Sequence, residues 1–557
     1  MCGFLAFVII YGIWKTRHTD SMNSYILTGK STRWFTILIS IMATQASAIT
    51  FLSTPGQAYI DGMRFVQFYL GLPIAMIIIS AAAVPIYHRL NVYTAYEYLE
   101  KRFDLKNRIL GSVLFLTQRG LAAGFTIFAP ALIISVILDM NIDLTVFILG
   151  FFVIIYTTVG GSNAVNKTQI IQMIIITAGM LIAFFTIFHL LPKGISPLDA
   201  AYIAGKMGKL NAIDFSFDLK DKYTFWSGII GGTFLMLSYF GTDQSQVQRY
   251  LGGKSIAQSR LGLLANGIVK VPMQFFILFT GAMVFVFYQF TIPPLYFNPV
   301  QSEKVLHSNY AREYHDLKDK YAEIHKEKKA DIYRLLNGIK NNEPDKVGEA
   351  QLNIDKSEVS ALNIKSEAVN IIKKVNPGSD GNDSNYIFLS FVINFLPVGL
   401  IGLVLAAIMS ASMSSTSAEL NALASTTVID IYKRLINKDA TDKHYLRVSK
   451  LATLLWGLYA MGFALFANRL GTLIEAVNIL GSLVYGTILG IFLIAFFLKK
   501  VKGTPTFIAA VISELFVIYC YIFTGIPFLW FNAIGCLSVV VLGTLFQLIL
   551  REKIIQS

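Results

Sequence analysis

The chain contains little cysteine, little histidine and little charge. Only three of its 557 residues are cysteines and seven are histidines. Cys2, Cys520 and Cys536 all fall in apolar segments, and their spacing is not typical of a disulfide or a metal site. Charged residues make up 15% of the chain and hydrophobic residues 54%, whereas a soluble protein of this length would carry more charge. These shortages argue against thiol chemistry, a zinc site and a soluble protein.

Two other patterns are missing from the sequence. No stretch alternates polar and apolar residues as membrane β-strands do, which argues against an outer-membrane barrel. No HExxH motif, histidine cluster or clear serine–histidine pair falls in an apolar segment, so an intramembrane enzyme is not indicated. A net charge of +13 would suggest nucleic-acid binding in a soluble protein, but basic cytoplasmic loops explain it in a membrane protein.

Long apolar runs recur instead from one end of the chain to the other. Each is close to the ~20 residues that cross a ~30 Å hydrocarbon core as a helix. We therefore predict an all-α membrane protein with about thirteen transmembrane helices. The predicted spans are 1–14, 33–54, 62–88, 108–138, 142–160, 165–191, 224–250, 262–290, 386–430, 447–468, 470–497, 504–523 and 525–549. The first run is short and lacks the marks of a signal peptide, so we interpret it as a helix whose beginning precedes this sequence.

Lysine and arginine are concentrated in alternate loops. The basic loops lie at 15–32, 89–107, 249–260, 433–443 and 499–502. Because such loops stay in the cytoplasm, thirteen spans place the N-terminus outside the cell membrane and the C-terminus in the cytoplasm. The polar insertion at 291–385 then lies outside, with a helical pattern at 310–340. A solvated helical cap and a partner-docking module both remain open for it.

Three apolar spans are interrupted by small and polar residues. In the span 33–54, small residues replace leucine and valine, and Pro55-Gly56 follow it, so we predict a broken helix whose free carbonyl groups bind a hard cation. The span 386–430 contains a hydroxyl-rich run in which Ala411, Ser414 and Ser415 share one helical face. The span 224–250 carries Asp243, an acid that is costly within a membrane unless it has a role. Helix–helix contacts are the alternative explanation for the first two spans, and a structural ion pair with a nearby arginine is the alternative for Asp243.

Several segments together resemble the sodium/solute symporter family, which includes sodium-coupled sugar, proline, iodide, monocarboxylate and sialic acid carriers. No single motif is decisive, but their order and spacing are specific. The segments are SYILTGK at 24–30, YTAYEYLEKRF at 93–103, YTTVGGSNAV at 156–165, GTDQSQVQR at 241–249, and the serine run 406–417 followed by LNA at 420–422.

The resemblance implies the leucine-transporter fold, in which ten core helices form two inverted five-helix repeats. The implied organisation is a partial helix and loop at 1–32, the first repeat at 33–191, core helices six and seven at 192–290, the insertion at 291–385, core helices eight to ten at 386–497, and two extra helices with a short tail at 498–557. It also implies a co-transported sodium ion. The residues matching the family's sodium site are Ala43, Ala46, Ala411, Ser414 and Ser415.

The sequence departs from the family pattern at a further sodium site. Gln169 stands where relatives often carry an acid, and Ala418 follows Ser417 where a second serine is expected, so we expect one sodium per cycle. Glu419 lies about one turn beyond Ser415. It would either supply the missing charge or face the cytoplasm as a solvated acid.

The substrate positions also differ from those of hexose carriers. Thr50, Tyr69 and Asp243 replace their glutamine, glutamate and asparagine. Arg119 is an intramembrane cation that would bind a substrate carboxylate, pair with Asp243 or extend to an interface. The full set of predicted substrate-binding residues is Gln45, Thr50, Tyr69, Arg119, Asp243 and Asn478.

The predicted function is sodium-coupled symport of a small polar organic solute such as a sugar, polyol or carboxylate. A proton-coupled symporter and a solute-sensing receptor with a separate signalling partner are the alternatives. The sequence leaves the solute and the oligomeric state open.

Overall fold

The computed structural model describes residues 10, 22, 25, 31–379, 381–467 and 472–550. In these residues the regular structure is helical, with one isolated β-bridge between Thr32 and Gly253. Nine helices of this part are long and apolar enough to cross a membrane, and three shorter apolar helices accompany them. The predicted all-α membrane protein is therefore confirmed, whereas the count of thirteen spans stays a prediction. Apart from Ile10, the predicted first span lies outside the described residues.

The first half of the chain forms a series of long helices joined by short turns. A 3-10 segment, Gly62–Tyr69, separates the second helix from the third. The helices are α1 (Trp34–Gln45), α2 (Ala48–Asp61), α3 (Gly71–Ala81), α4 (Ala83–Leu90), α5 (Ala95–Arg102), α6 (Leu105–Leu138) and α7 (Ile142–Leu190).

Helix α7 is bent at Gly161, which separates the predicted spans 142–160 and 165–191. Gly161 has φ 56° and ψ −165°, a conformation that only glycine adopts readily. A Cβ atom there would also lie 2.4 Å from the ring of Tyr25. Both the backbone angle and this close contact therefore require glycine at the bend.

The segment that follows carries a second interrupted helix and a long span. The helices are α8 (Pro197–Lys206), α9 (Gly232–Gly241), α10 (Gln244–Leu251) and α11 (Ile256–Phe290). A π-helical turn, Ser227–Gly231, leads into α9. Helix α8 begins with a capping box, since Ser196 and Asp199 each accept a hydrogen bond from the other's backbone N–H.

The insertion folds into α12 (Pro299–Leu306), α13 (Ala311–Lys340) and α14 (Pro344–Val375), which we call the cap. This confirms the predicted helix at 310–340. The cap is not solvated all round, because one face packs into the main core through Ile332, Leu335, Leu336, Ala350 and Ile354. It is tied to the end of α11 by His325, whose Nε2 lies 2.8 Å from the Tyr288 carbonyl oxygen.

An ion pair stabilises the cap. The Lys328 Nζ atom lies 2.8 Å from Glu358 Oε2. Burial raises the pKa of the Glu358 carboxyl, but the nearby ammonium groups of Lys328, Lys209 and Lys365 outweigh it, so the pKa lies below its usual value.

The rest of the chain forms α15 (Ser384–Phe395), α16 (Val398–Thr426, continued by a π-helix, Thr427–Ile436), α17 (Asp442–Ala464), α18 (Leu473–Phe497), α19 (Gly503–Phe523) and α20 (Phe528–Leu550). The predicted single span at 386–430 is wrong. Leu396 is extended, with φ −84° and ψ 146°, as residues before proline usually are, and α16 begins only after Pro397. Helix α15 is thus a separate short helix against α2.

Helix α16 occupies the centre of the molecule. It is buried without interruption from Val404 to Thr426 and packs against α1, α2, α6 and α7. Its hydroxyl-rich run therefore faces protein on all sides, which places its polar groups against the interrupted helix of the first half.

Candidate functional site

The helix break predicted in the first span is confirmed. Helix α1 ends at Gln45, Ala46 and Ser47 have non-helical angles (ψ 68° and 168°), and α2 begins at Ala48. The Ser47 N–H donates to the Gln45 carbonyl at 2.9 Å, and the Thr50 N–H donates to the Ser47 carbonyl at 3.0 Å. In an unbroken helix these two N–H groups would bind the carbonyls of Ala43 and Ala46. The break therefore frees both of the carbonyl oxygens that the family resemblance singles out.

The hydroxyl-rich run of α16 lies directly opposite this break. The Ser414 hydroxyl donates to the Ala43 carbonyl at 3.0 Å. The hydroxyl of the next residue, Ser415, donates to the carbonyl of Ala411, one turn earlier in the same helix, at 3.1 Å. Ala43, Ala46, Ala411, Ser414 and Ser415 are each at most 1% exposed. The Ala43 carbonyl and the Ser414 hydroxyl thus meet in a buried place between α1 and α16, and such hard oxygen donors suit a hard cation.

Gln169, the residue for which the family resemblance implied an acid, lies beside Ser414. Its Oε1 accepts a hydrogen bond from Ser40 at 2.7 Å, and its Nε2 donates to Ser414 Oγ at 3.0 Å. Ser417 accepts a hydrogen bond from Thr157 at 2.9 Å. A neutral amide therefore orients the serine, and the expectation of one sodium stays a prediction.

A second helix break, at Asp243, lies in the other half of the chain. Helix α9 ends at Gly241, Thr242 has φ −132°, and Asp243 is extended before α10 begins. The Asp243 carboxylate caps α10 by accepting hydrogen bonds from the backbone N–H (2.8 Å) and hydroxyl (2.6 Å) of Ser245. This confirms the predicted interruption of the span 224–250.

Arg119 lies between two carboxylates beside the second break. Its guanidinium contacts Asp243 and donates to Glu419 at 3.0 Å. The Tyr485 hydroxyl also donates to Asp243 at 2.8 Å, and the Thr126 hydroxyl to Glu419 at 2.9 Å. We call these five side chains the ion cluster. Of the roles considered for Arg119, pairing with Asp243 is the one observed.

The interpretation of Glu419 as a solvated, cytoplasm-facing acid is wrong. The residue is 5% exposed and faces α6, where Arg119 and Thr126 bind both of its carboxylate oxygens. A buried carboxylate requires such partners because its desolvation is costly.

A cavity of about 110 Å³ separates the two breaks. Five of the six predicted substrate-binding residues line it: Gln45, Thr50, Tyr69, Arg119 and Asn478. Asp243 lies just behind the wall, bound to Tyr485, which lines the cavity. Gln45 Oε1 and Asn478 Nδ2 are buried and have no hydrogen-bond partner among the described residues. The structure therefore brings the predicted residues together at one site.

The sequence analysis missed Lys270 of α11. This residue is 2% exposed, lines the same cavity, and holds its ammonium 5.9 Å from the centre of the Tyr69 ring. The available signal was an ionisable residue inside the predicted span 262–290, which by default indicates a functional site. Tyr485 and Thr126, which also line the cavity, carried no comparable signal.

Comparison with known proteins agrees with this architecture. A sequence profile described as "Sodium:solute symporter family" matches residues 25–312 and 366–512, which leaves out the middle of the cap. The sodium/sialic acid symporter NanT of Aliivibrio fischeri is 25% identical over 97% of this chain and 91% of its own length. The sodium/sialic acid symporter SiaT of Proteus mirabilis is 23% identical over 98% of this chain and 93% of its own.

A solved structure shows the fold. The substrate-bound, outward-open state of a Na+-coupled sialic acid symporter matches with a TM-score of 0.73 and 21% identity, over 98% of this chain and 96% of that one. The predicted leucine-transporter fold is thereby confirmed.

Proposed function

Because this chain belongs to the sodium:solute symporter family, we propose that it carries a small polar organic solute together with one sodium ion across the plasma membrane by alternating access. Membership of a family of membrane transporters supports a transport role rather than an enzymatic one. The proposal concerns the ion site, the solute cavity and the orientation in the membrane.

The sodium ion binds between the first break and α16. Its ligands are the carbonyl oxygens of Ala43, Ala46 and Ala411 with the hydroxyls of Ser414 and Ser415. The observation that carries this proposal is the 3.0 Å contact between Ser414 Oγ and the Ala43 carbonyl oxygen, since it joins the two segments that the site needs. Sodium would replace the hydroxyl hydrogen as the partner of that carbonyl.

Coupling follows from chain continuity across the break. Gln45 lies between the two carbonyl ligands Ala43 and Ala46, and its side chain lines the solute cavity. An ion that fixes these carbonyls therefore also fixes one wall of the cavity. Sodium entry then favours solute binding, and the membrane potential adds ~2.3 kcal/mol per charge at 100 mV.

The distribution of basic loops supports the proposed orientation. Arg102 donates to the carbonyl of Lys499 at 2.9 Å, and Arg434 pairs with Glu100, so three basic loops meet at one end of the molecule. The cap contacts the opposite end of α11 at Tyr288. The positive-inside rule then puts the loops and the C-terminus in the cytoplasm and the cap outside.

The test is to replace sodium with choline at fixed pH and constant ionic strength. Sodium should raise the melting temperature of the purified full-length protein, because an ion that binds only the folded state contributes RT ln(1 + [Na]/Kd), about 1.4 kcal/mol at ten times Kd. Equal melting temperatures in sodium and choline, together with equal uptake by proteoliposomes, would overturn sodium coupling. Uptake that follows a pH gradient in choline would indicate the proton-coupled alternative, and solute binding without accumulation would indicate the sensor.

A further inference from the structure

Lys270 lies deep in the membrane-spanning part of the molecule. It is 14 residues from the start of α11 and 20 from its end, hence ~20 Å or more from either end at 1.5 Å per residue. Its side chain is too far from both ends to reach water along the helix. Lys270 does line the cavity between the two breaks.

The Lys270 ammonium has no anionic partner within the described part of the chain. Its recorded interaction is the contact with the Tyr69 ring, and the salt bridges there do not include it. A cation–π contact at this distance stabilises an ammonium only modestly. Burying an unpaired ammonium is costly, so the protonated form of this lysine needs a counter-charge that the described residues do not supply.

The other two charged side chains on the cavity wall differ from Lys270. Arg119 and Glu419 line the described cavity as well, but they bind each other, and Arg119 also binds Asp243. The guanidinium is thus neutralised by two carboxylates and has little remaining attraction for an anion. The positive charge left for a ligand in this cavity is that of Lys270.

Two further groups on the wall indicate what else the ligand carries. Asn478 Nδ2 and Gln45 Oε1 have no hydrogen-bond partner among the described residues, and leaving such buried groups unpaired costs free energy. An amide donor satisfies an acceptor oxygen, and an amide oxygen satisfies a hydroxyl or N–H group. A ligand with a carboxylate and at least one hydroxyl group matches all three unpaired groups.

We propose that Lys270 is the anchor for the charged group of the solute, and that the solute is therefore a small hydroxylated organic carboxylate. This inference rests on the proposed function, because it identifies the cargo of the same cavity. It assigns to Lys270 the carboxylate-binding role that the sequence had suggested for Arg119. Solute binding then supplies the counter-charge that Lys270 does not find among the described residues.

The experiment compares solutes that differ in the carboxylate. Purified full-length protein in sodium chloride is titrated with D-glucuronate against D-glucose, D-gluconate against D-glucitol, and L-lactate against L-lactamide, with the shift in melting temperature as readout. We expect a shift with at least one carboxylate, and an apparent Kd for its neutral partner that is at least about tenfold weaker.

Two variants with matched chemistry complete the test. Lys270→Met should raise the melting temperature without solute, because an unpaired buried charge is removed, and it should abolish the shift with carboxylates. Lys328→Met serves as control, since Lys328 is also buried but is paired with Glu358. It should lower the melting temperature and leave the response to carboxylates unchanged.

Three results would overturn the inference: no shift with any of the three carboxylates, equal shifts within each pair, or a carboxylate shift retained by Lys270→Met. In these cases the melting temperature can still be higher in sodium than in choline. The proposed sodium symport then stands, and only the inference about the solute is wrong. Loss of that sodium effect counts instead against the proposed function, so the two failures are distinguishable.

Discussion

The two helix breaks lie in different halves of the chain, and their surroundings differ. At the first break, between α1 and α2, the groups are neutral: backbone carbonyls, serine hydroxyls and the Gln169 amide. At the second break, between α9 and α10, Asp243 is bound by Arg119, Tyr485 and Ser245. One break is thus lined with oxygen dipoles and the other with formal charges.

This difference indicates that the first break binds a ligand and that the second break has a structural role. The second break is satisfied by the protein's own side chains, since each carboxylate of the ion cluster has partners. Within the membrane every exposed polar group needs such a partner. The first break instead presents oxygen atoms that a cation can bind, and next to it Gln45 Oε1 lacks a partner among the described residues. We therefore expect perturbation of the second break to affect stability, and of the first to affect ligand binding.

The largest effect should come from Arg119→Met. Removing the guanidinium leaves Asp243 and Glu419 as buried charges without a cation, which costs about 3–5 kcal/mol of unfolding free energy. Denaturation in detergent, without solute, measures it. Glu419→Gln is the matched control, because one carboxylate still balances Arg119, and it should cost about 1 kcal/mol or less. Equal losses in the two variants would contradict a cluster held together by charge.

A smaller effect, on ligand binding, should follow from Ser414→Ala. Loss of one hydroxyl ligand should raise the sodium concentration for half-maximal stabilisation about tenfold, equivalent to about 1.4 kcal/mol. Stability in choline should also fall, by about 1–3 kcal/mol, because the buried Ala43 carbonyl and Gln169 amide lose Ser414 as a partner. Ser425→Ala is the control: its hydroxyl is buried on the same helix and donates within it, to Ala422 at 2.9 Å. If the sodium dependence of Ser414→Ala is unchanged, the sodium ion does not bind at the first break.

The smallest effect concerns the cap, which lies away from both breaks. Burial lowers the pKa of His325, and the hydrogen bond to the Tyr288 carbonyl offsets this only in part. The folded imidazole therefore stays neutral, whereas the unfolded one binds a proton near pH ~6.5. Its contribution to stability is complete above that pH and is lost as the pH falls towards the lower pKa of the folded state.

Hydrogen exchange measures this loss. Between about pH 7.5 and pH 5.5, amide exchange in residues 311–375 should become faster than the intrinsic pH dependence predicts. The corresponding fall in the free energy of local opening should be about 1 kcal/mol or less. His325→Gln should remove the pH step. If the pH-dependent change in exchange remains in His325→Gln, another group titrates. If that change depends on sodium, the cap is coupled to the first break.

Local sequence patterns predicted the all-helical membrane fold and both helix breaks, although the number of spans is not confirmed and the span 386–430 is divided in two. Long apolar runs report directly on membrane helices, and the polar groups near Ala46 and Asp243 indicated where the helices stop. Contacts between distant helices carried no such signal. Arg119 and Glu419 are 300 residues apart, so nothing in the spacing could show that α6 and α16 are neighbours. The end of α15 did have a signal, Pro397, which the long apolar run obscured.

The contact between α2 and α15 has a mechanical consequence. A Cβ atom on Gly56 would lie 2.0 Å from the Ser384 carbonyl oxygen, so the two backbones touch with no side chain as a spacer. Because no space separates the two backbones, a tilt of α2 would displace α15. The adjoining cap would move with α15. The cap, which precedes α15 in the chain, is therefore coupled mechanically to α2, the helix that begins at the first break.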